Sequence, residues 1–406
     1  MKKIYTRTLL TLLLISGLIN AQWTQLNNSF GKEIRTMIKN GSALIVGTVD
    51  GGVYVSNNAD QNWSQSNAGL TNLKVYSLAG NGSQILAGTY GNGVFISSDN
   101  GNNWSTAGSG INVPYIYALI FSGNNIVAGS GGGGVFTSLN GGSSWSNVLA
   151  ISNIANALYR TDSSLLLGIG PYIYRSTNDG LNWTSVVTSN TTIKAFAETP
   201  NSSGGKNLYA GSLDGVFLST DDGKNWKTVN TGLTYRNVNA LAVSGEVLFA
   251  GTENGGVFKT SNAGSSWSEI NTGLPSSTSI RSIIIDGGFL YAASSSGTVY
   301  KRNLSDVISS IEENSGELPT EFSLSQNYPN PFNPATRISF SIPTTQLVSL
   351  KIYDLTGREI TYLVNRELSA GSYSFEFDGS NLSSGIYFYK LSTANFSDVK
   401  KMMLIK

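Results

Sequence analysis

The sequence contains no cysteine and no histidine among its 406 residues. These two absences exclude Ser–His–Asp and Cys–His nucleophile systems, zinc sites built from Cys and His, and haem held by His or Cys. Charged residues amount to only 13%, and the formal net charge is +1. No segment is basic enough to favour nucleic acid as a partner. We therefore expect no cofactor and no nucleic-acid ligand.

Long apolar runs are also missing, except at the N-terminus. There, three basic residues precede an apolar stretch that is too short to span a bilayer comfortably, and the small residue Ala21 follows it. This pattern predicts a signal peptide over residues 1–21. We expect an exported chain with no transmembrane segment.

A tryptophan-containing octapeptide recurs along the chain. It begins with Ser or Thr, has Asp or Asn two positions later and Gly two further on, and ends with Trp. Asp, Asn, Ser and Thr side chains accept hydrogen bonds from nearby backbone amides, and glycine closes a turn with positive φ. The octapeptide therefore predicts a structural hairpin turn, and its lack of a closing glutamate argues against a calcium site. Two copies are formed by Ser97, Asp99, Gly101 and Trp104 and by Ser219, Asp221, Gly223 and Trp226.

The seven tryptophans follow one another at intervals of about 40 residues, which is the period of a β-propeller blade. Each interval holds four short strand patterns. The last unit begins at Ile280 and lacks a tryptophan, whereas Trp23 has no unit before it. The fold predicted for residues 22–303 is therefore a seven-bladed β-propeller that the N-terminal strand closes. These repeats resemble the Asp-box, or bacterial neuraminidase repeat, which occurs in enzymes and in binding proteins.

The composition changes after Asn303. Residues 304–321 are acidic and read as a linker, whereas residues 322–406 alternate apolar and polar residues between Gly and Asn turns. This alternation predicts a small immunoglobulin-like β-sandwich, so the whole chain is expected to be all-β. The motifs of this region resemble the type A sorting domain of the type IX secretion system, and they contain Asn327, Pro329, Asn330, Pro331, Tyr353, Asp354, Gly357, Arg358, Gly385, Tyr387 and Lys406.

The resemblance to the sorting domain implies a partner and a destination. The type IX secretion machinery would carry the chain from the periplasm through the outer membrane. The sorting domain is usually removed, and the product is either released or attached to the outer cell surface. We expect the mature protein to be a monomer.

One polar position varies from blade to blade although the positions around it are uniform. It follows an apolar residue at the start of the first strand of each repeat. Such variation is typical of a surface that reads a ligand at the mouth of the propeller channel. The seven residues, called the ring below, are Arg35, Tyr76, Tyr117, Asn156, Lys194, Asn239 and Arg281.

Three functions are compatible with the ring. The first is non-catalytic binding of an extracellular glycan or protein. The second is glycoside hydrolysis or lysis that uses Tyr76 or Tyr117 with Asp50 or Glu253. The third is a scaffold or assembly role through the same face. Hydrolysis usually needs two carboxyl groups about 5 to 9 Å apart, and we expect Asp50, Asp214 and Glu253 to be too widely separated. The Phe/Tyr-Arg-Ile-Pro motif of six-bladed sialidases is absent.

Overall fold

The computed structural model describes residues 22–57, 62–188, 190–201, 205–308, 310–311, 319–368, 370–380 and 382–405. The predicted signal peptide, residues 309 and 312–318 of the predicted linker, and Lys406 lie outside the described residues. Within the described part of the chain, nearly all regular structure is β-strand, together with one four-residue helix. The predicted all-β class is confirmed.

The described residues between Thr24 and Asn303 form seven four-stranded antiparallel sheets. The strands are β1 (Thr24–Ser29); then β2 (Ile34–Asn40), β3 (Ala43–Thr48), β4 (Gly52–Ser56) and β5 (Ser64–Gln65); β6 (Val75–Gly80), β7 (Ile85–Thr89), β8 (Val94–Ser97) and β9 (Ser105–Thr106); β10 (Ile116–Ser122), β11 (Asn125–Ser130), β12 (Val135–Ser138) and β13 (Ser146–Leu149); β14 (Ala155–Arg160), β15 (Leu165–Ile169), β16 (Tyr172–Ser176) and β17 (Thr184–Thr188); β18 (Ile193–Pro200), β19 (Lys206–Ser212), β20 (Gly215–Ser219) and β21 (Lys227–Thr228); β22 (Val238–Ser244), β23 (Val247–Thr252), β24 (Gly256–Thr260) and β25 (Ser268–Glu269); and β26 (Ile280–Asp286), β27 (Phe289–Ser294) and β28 (Thr298–Asn303).

The sheets are arranged in a closed circle. The first strands contact one another in the order β2, β6, β10, β14, β18, β22 and β26, and β26 contacts β2. The last sheet has the strand order β1-β28-β27-β26, so the N-terminal strand pairs with the C-terminal strand of the propeller. The indole N–H of Trp23 donates to the Ile270 carbonyl oxygen at 2.6 Å, and the Trp23 amide donates to the Thr272 carbonyl oxygen at 2.8 Å.

Apolar side chains fill the space between neighbouring sheets. One core cluster combines Ile45 of the first sheet with Phe95 and Trp104 of the second, and all three are buried. Glycine at the end of the second strand allows this close packing. A Cβ atom on Gly47 would lie 2.6 Å from the Val75 side chain of the next sheet, and real Cβ atoms do not approach neighbours so closely. The recurring glycine therefore sets the spacing between sheets.

The octapeptide turns join the third and fourth strands. In the copy that starts at Ser97, the Ser97 hydroxyl accepts a hydrogen bond from the Gly101 amide at 2.8 Å, and Asp99 accepts one from the Asn103 amide at 2.9 Å. The Asp and Ser acceptors thus bond amides four residues onward. Gly101 has a φ of 89°, as a positive-φ turn requires.

The same geometry recurs in the copy that contains Asp221. The Ser219 hydroxyl accepts from the Gly223 amide at 2.9 Å, and Asp221 accepts from the Asn225 amide at 2.9 Å. The Trp226 indole donates to the Gly223 carbonyl oxygen, whereas the Trp104 indole reaches back to the Ser66 carbonyl oxygen. The turn is therefore held by its own side chains, and Trp104 also ties it to the preceding sheet.

The C-terminal region forms two further four-stranded sheets. After α1 (Ser305–Ile308), the strands are β29 (Ser310–Ile311), β30 (Ser323–Leu324), β31 (Ala335–Ile342), β32 (Gln346–Asp354), β33 (Glu359–Leu368), β34 (Gly371–Asp378), β35 (Gly385–Ser392) and β36 (Ser397–Leu404). The sheet orders are β29-β34-β31-β30 and β33-β32-β35-β36. One apolar core, which includes Ile338, Leu350 and Tyr389, lies among their strands. This arrangement matches the predicted β-sandwich.

The start of the predicted linker is structured. Leu304 and Val307 are buried in the core cluster of the last two propeller sheets, and the Lys259 ammonium donates to the Val307 carbonyl oxygen at 2.6 Å. Leu304 directly precedes α1 and lies three positions before Val307, and the Val307 amide donates to the Leu304 carbonyl oxygen at 3.0 Å. Both side chains therefore face the same core. β29, which follows α1 in the chain, pairs with β34 of the sandwich. The acidic composition of residues 304–321 concealed these contacts.

We predict that Trp23→Ala lowers the free energy of unfolding by about 3–5 kcal/mol, which is typical of removing a buried aromatic side chain. Trp23 is only 2% exposed, and its loss also removes the bond to Ile270. Trp63→Ala serves as the matched control, since Trp63 is half-buried and its indole nitrogen has no acceptor among the described residues. Urea titration of both variants measures the difference. An equal loss for the two would show that Trp23 has no special role in closing the circle.

A second prediction concerns acid stability. Hydrogen bonds from the backbone and side chain of Asn225 and from Ser219 lower the pKa of Asp221 to about 2. Because its unfolded-state pKa is about 3.9, Asp221 stabilises the fold above that value, and this contribution disappears as the pH falls to about 2. Asp221→Asn removes the titration, and Asn178 already occupies the equivalent position. Unfolding between pH 5 and 2 should therefore depend less on pH in the variant. The difference should be below about 1 kcal/mol because the carboxylate is exposed to solvent.

Candidate binding site on the ring of innermost strands

A β-bulge occurs at the same position in all seven propeller sheets. The register between the first and second strands shifts between Ile34 and Thr36 in the first sheet, and Arg35 lies between them. A bulge inserts an extra residue into one strand and changes the direction of its side chain. The residues at this position in the seven sheets are those of the ring, Arg35, Tyr76, Tyr117, Asn156, Lys194, Asn239 and Arg281. All seven are half-buried, and each follows a fully buried residue.

The ring and the octapeptide turns lie at opposite ends of the sheets. Ile34 pairs with Thr48, and Thr48 pairs with Gly52, so the start of β2 meets the turn between β3 and β4. The octapeptide follows the far end of the third strand. The ring therefore shares its face with the turns that carry Asp50, Asp214 and Glu253.

A hydrogen-bonded network joins three ring residues. The Lys194 ammonium donates to the side-chain oxygens of Asn237 and Asn239, both at 2.8 Å. The Asn239 amide in turn donates to Glu253 at 2.9 Å. Arg281 donates to the same carboxylate oxygen of Glu253. Lys194, Asn239 and Arg281 thus belong to one polar cluster.

The network continues into the first sheet. The Arg281 Nε atom lies 2.9 Å from the Glu33 Oε1 atom, and the Arg35 guanidinium lies 3.4 Å from the same oxygen. Glu33 therefore bridges two ring arginines that are far apart in sequence. The polar cluster extends across the junction between the last and first sheets.

Tyrosine side chains pack together beside Arg35. The Arg35 guanidinium lies 4.7 Å from the centre of the Tyr76 ring, which is a cation–π geometry. Tyr76 stacks on Tyr90 with the ring centres 5.1 Å apart, and Tyr117 meets Tyr76 edge-on at 5.5 Å. Tyr115 packs against Tyr90 at 4.6 Å. Four tyrosines therefore share one cluster, which we call the tyrosine cluster.

Other predicted residues stay outside these clusters. Asn156 donates to the carbonyl oxygen of Ile154, and no hydrogen bond within the described residues joins it to the rest of the ring. Two carboxylates form separate ion pairs: Asp50 with Lys74 at 3.7 Å, and Asp214 with Arg236 at 3.4 Å. Of the three carboxylates considered from the sequence, Glu253 alone belongs to the polar cluster.

Burial and charge shift the pKa values of Lys194 and Tyr117 in the ring and of the neighbouring Glu253. Burial lowers the pKa of Lys194 to about 8, and the positive charges of Arg281 and Arg35 add to this effect against the opposing charge of Glu253. Burial acts to raise the pKa of Glu253, but the Asn239 hydrogen bond and the charge of Arg281 outweigh it, so that pKa lies below its usual value. Burial raises the pKa of the Tyr117 phenol.

Sequence reasoning missed Glu33, Tyr115, Asn237 and Tyr90. The first three precede their ring residues by two positions, so strand alternation places them toward the same side. Tyr90 directly follows the second strand of its sheet, as Glu253 does in another. Two sequence positions could have identified these four residues. One lies two residues before each bulge, and the other directly follows each second strand.

The sorting-motif residues of the C-terminal domain hold its turns. The backbone N–H of the buried Asn327 donates to the Tyr389 hydroxyl oxygen at 2.8 Å, and its side-chain amide donates to the Pro329 carbonyl oxygen at 3.0 Å. Asn330 accepts from the Met403 amide at 3.0 Å. The peptide bonds before Pro329, Pro331 and Pro334 are cis. The bond between Asn330 and Met403 anchors this segment to β36.

The second part of the motif is a tight turn between β32 and β33. Asp354 accepts hydrogen bonds from the amides of Thr356 and Arg358 at 2.9 and 3.1 Å. The Arg358 side chain returns to Asp354 at 3.0 Å, and Gly357 has a φ of 83°. Tyr353 pairs with Phe388 across the sheet. The motif residues in this turn therefore have visible structural roles.

The third part of the motif lies on β35. Gly385 begins this strand opposite Leu404, and the Tyr387 hydroxyl donates to the Ser383 carbonyl oxygen at 2.8 Å. Across the residues that the structure describes, no group of three or more carboxylates has the geometry of a metal site. None of the helical residues described forms a segment that is long and apolar enough to cross a membrane.

We predict that Lys194 titrates near pH 8 in the folded protein. Its amine should therefore become neutral, and able to react with acetic anhydride, at a lower pH than the amine of Lys351. Lys351 is the internal control, because its hydrogen bond to Glu359 raises its pKa. Mass spectrometry after brief acetylation between pH 6 and 10 measures both residues in one sample. Equal midpoints for the two would contradict the burial of the Lys194 ammonium.

Comparison with known families identifies the C-terminal region. Residues 326–406 match the model of the secretion system C-terminal sorting domain. No curated protein matches the chain in sequence. The assignment of the remaining residues therefore depends on the fold.

Solved structures with β-propeller folds resemble the chain. YCF48 from Cyanidioschyzon merolae has a TM-score of 0.56 and 13% identity, over 71% of this chain and 100% of that one. PorZ, an essential surface component of the type IX secretion system of Porphyromonas gingivalis, has a TM-score of 0.54 and 16% identity, over 92% of this chain and 60% of PorZ. An ancestral GH74 enzyme has a TM-score of 0.56 and 18% identity, over 94% of this chain and 63% of the enzyme.

These identities are low enough that the likeness shows the fold alone. The propeller architecture and the sorting domain nevertheless agree with the sheets and motifs described above. The chain is a β-propeller followed by a C-terminal type IX secretion sorting domain, which directs it to the cell surface or out of the cell.

Proposed function

We propose that the propeller is a non-catalytic binding protein that holds an extracellular glycan or protein on its ring. The observation that carries this proposal is the bulge shared by all seven sheets. The scaffold repeats the same local distortion, yet the side chain at that point differs from sheet to sheet. A purely structural position would favour one class of residue, as the buried position before it does, where every sheet has Ile, Val or Ala.

The chemistry of the ring supports binding. Arginine and tyrosine are enriched among the residues that dominate binding energy, because each combines a large contact area with hydrogen-bonding groups. Here Arg35 and Tyr76 pack against each other, and Arg281 is fixed by two carboxylates. These side chains are held in place before a ligand arrives, which reduces the entropy cost of binding.

The carboxylates of the polar cluster are poorly suited to glycoside hydrolysis. Glu33 and Glu253 both contact Arg281, so they lie closer together than the sequence suggested for the carboxylates of this face. A general acid, however, needs a raised pKa, whereas the pKa of Glu253 is lowered. The raised pKa of Tyr117 likewise makes its phenol a weaker nucleophile at neutral pH. Binding therefore accounts for the ring better than catalysis does.

We also propose the domain organisation that this function requires. Residues 1–21 are the signal peptide, residues 22–303 are the binding propeller, and residues 304–321 connect it to the sorting domain at 322–406. The similarity to PorZ, itself a surface component, supports a surface-exposed role. The similarity to an ancestral GH74 enzyme keeps glycans among the ligands to test.

The test screens residues 22–406 on an array of microbial, plant and animal glycans. A variant with Arg35→Ala, Tyr76→Ala and Arg281→Ala should lose selective binding by about tenfold or more, since it removes several contacts worth over 1 kcal/mol each. The matched control is Lys224→Ala with Lys227→Ala, two exposed residues at the octapeptide end. Thermal unfolding of each protein verifies that it is folded.

Two results would contradict the proposal, and a third would decide the class of ligand. Binding that survives in the ring variant would place the ligand elsewhere. Cleavage of the bound glycan would show that the protein is an enzyme. If the folded wild type binds no glycan, the ligand would be a protein, and cross-linking from the ring to cell-surface proteins would be the next measurement.

A further inference from the structure

The tyrosine cluster extends beyond the ring toward solvent. Tyr90 and Tyr115 are each 39% exposed, although Tyr76 and Tyr117 behind them are half-buried. Large aromatic side chains are usually more buried than this, and an exposed aromatic patch marks a site of interaction. We propose that Tyr90 and Tyr115 form a stacking subsite for a neutral pyranose unit of a glycan. This inference relies on the proposed function for placing the ligand on the ring face.

The backbone holds the two exposed rings in position. Tyr90 and Tyr115 form an antiparallel β-bridge, and the amides of Gly91 and Gly93 both donate to the Pro114 carbonyl oxygen at 3.1 and 2.9 Å. The turn after β7 is therefore tied to the segment before β10. Such a platform loses little conformational freedom when a ligand stacks on it.

The rings are supported from behind. Tyr76 stacks against Tyr90, and the Arg35 guanidinium covers Tyr76. Tyr117 packs edge-on against Tyr90 with the ring centres 6.3 Å apart. The exposed pair is thus the outer layer of a stack that begins at the ring. Tyr90 therefore has packed side chains behind it and cannot move inward when a ligand binds.

Glycine leaves the neighbouring surface open. A Cβ atom on Gly131 would lie 2.7 Å from the Tyr117 ring and 3.4 Å from the Tyr115 Cβ atom. Tyrosine rings therefore pack directly on the glycine-rich turn between β11 and β12. Because that turn carries no side chain at residues 131–134, nothing rises from it to block a flat ligand beside Tyr115.

The hydrogen-bonding groups of the cluster suit sugar hydroxyls. Within the described residues, none of the four tyrosine hydroxyls forms a hydrogen bond with another protein group, so each is free to bond a ligand. Asn92 is exposed two residues after Tyr90, and its side chain lies 3.2 Å from the Thr71 hydroxyl. A pyranose with equatorial hydroxyls presents C–H groups on its faces and hydroxyls at its rim, which matches aromatic faces surrounded by amide and phenol groups.

The charges around the cluster favour a neutral sugar. The two bordering cations already have carboxylate partners: Arg35 with Glu33 at 3.4 Å, and Lys74 with Asp50 at 3.7 Å. A uronic acid unit would have to compete with these carboxylates for the cations. A neutral sugar requires no such exchange.

Isothermal titration of residues 22–406 with cellohexaose, xylohexaose and mannohexaose tests the inference, with hexagalacturonate as the anionic comparison. We expect at least one neutral hexasaccharide to bind. Tyr90→Ala and Tyr115→Ala should each weaken that binding by about tenfold, a typical loss at an aromatic anchor. Tyr115→Phe should weaken it much less, because it keeps the stacking face and loses only the hydroxyl.

Tyr362→Ala is the control, since Tyr362 is 58% exposed on the sorting domain. Thermal unfolding midpoints confirm that the variants are folded. The inference is overturned if no neutral hexasaccharide binds, if Tyr90→Ala and Tyr115→Ala bind as well as the wild type, or if hexagalacturonate binds more tightly than the neutral sugars.

These results also separate the subsite from the proposed function. A ligand that needs Arg281 but is indifferent to Tyr90 and Tyr115 would preserve binding on the ring and overturn the stacking subsite. A neutral glycan that needs Tyr90 and Tyr115 but not Arg281 would support the subsite and remove Arg281 from the binding surface.

Discussion

Closure of the circle is the constraint on which the rest of the structure depends. Each propeller sheet buries its faces against two neighbours, so an open circle would expose two apolar faces to water. The pairing of β1 with β28 prevents this exposure, and the buried Trp23 secures it through two hydrogen bonds to the preceding sheet. The N-terminal strand, Thr24–Ser29, thus completes a sheet whose other strands lie between Ile280 and Asn303.

Much of this architecture could be predicted because the same sequence motifs recur in each repeat and indicate the same local structure. The octapeptide fixes hairpin geometry through local hydrogen bonds, so copies such as Ser97–Trp104 predict the turn wherever they occur. The missing tryptophan of the last unit and the isolated Trp23 together predicted that the N-terminal strand pairs with the end of the propeller. The buried contacts of Leu304 and Val307 escaped notice because their segment has the acidic composition of a linker and belongs to no repeat.

The sequence predicted less about the ring than about the propeller fold. Alignment of the repeats identified the column that contains Arg35, Lys194 and Arg281, but it did not indicate a bulge, because register depends on pairing with a second strand. Contacts between sheets could not be predicted from the sequence either. Glu33 meets Arg281 only because the circle brings the first and last sheets together, and no local pattern encodes that distance.

The position of Glu33 has a consequence for the mechanics of the protein. Glu33 and Arg35 follow β1 in the chain, whereas Arg281 belongs to the strands with which β1 pairs. Separation of β1 from β28 would therefore also pull Arg281 away from Glu33. A ligand that spans Arg35 and Arg281 would connect the first and last sheets. Ligand binding would therefore stabilise the closed circle and protect the propeller from opening and from proteolysis outside the cell.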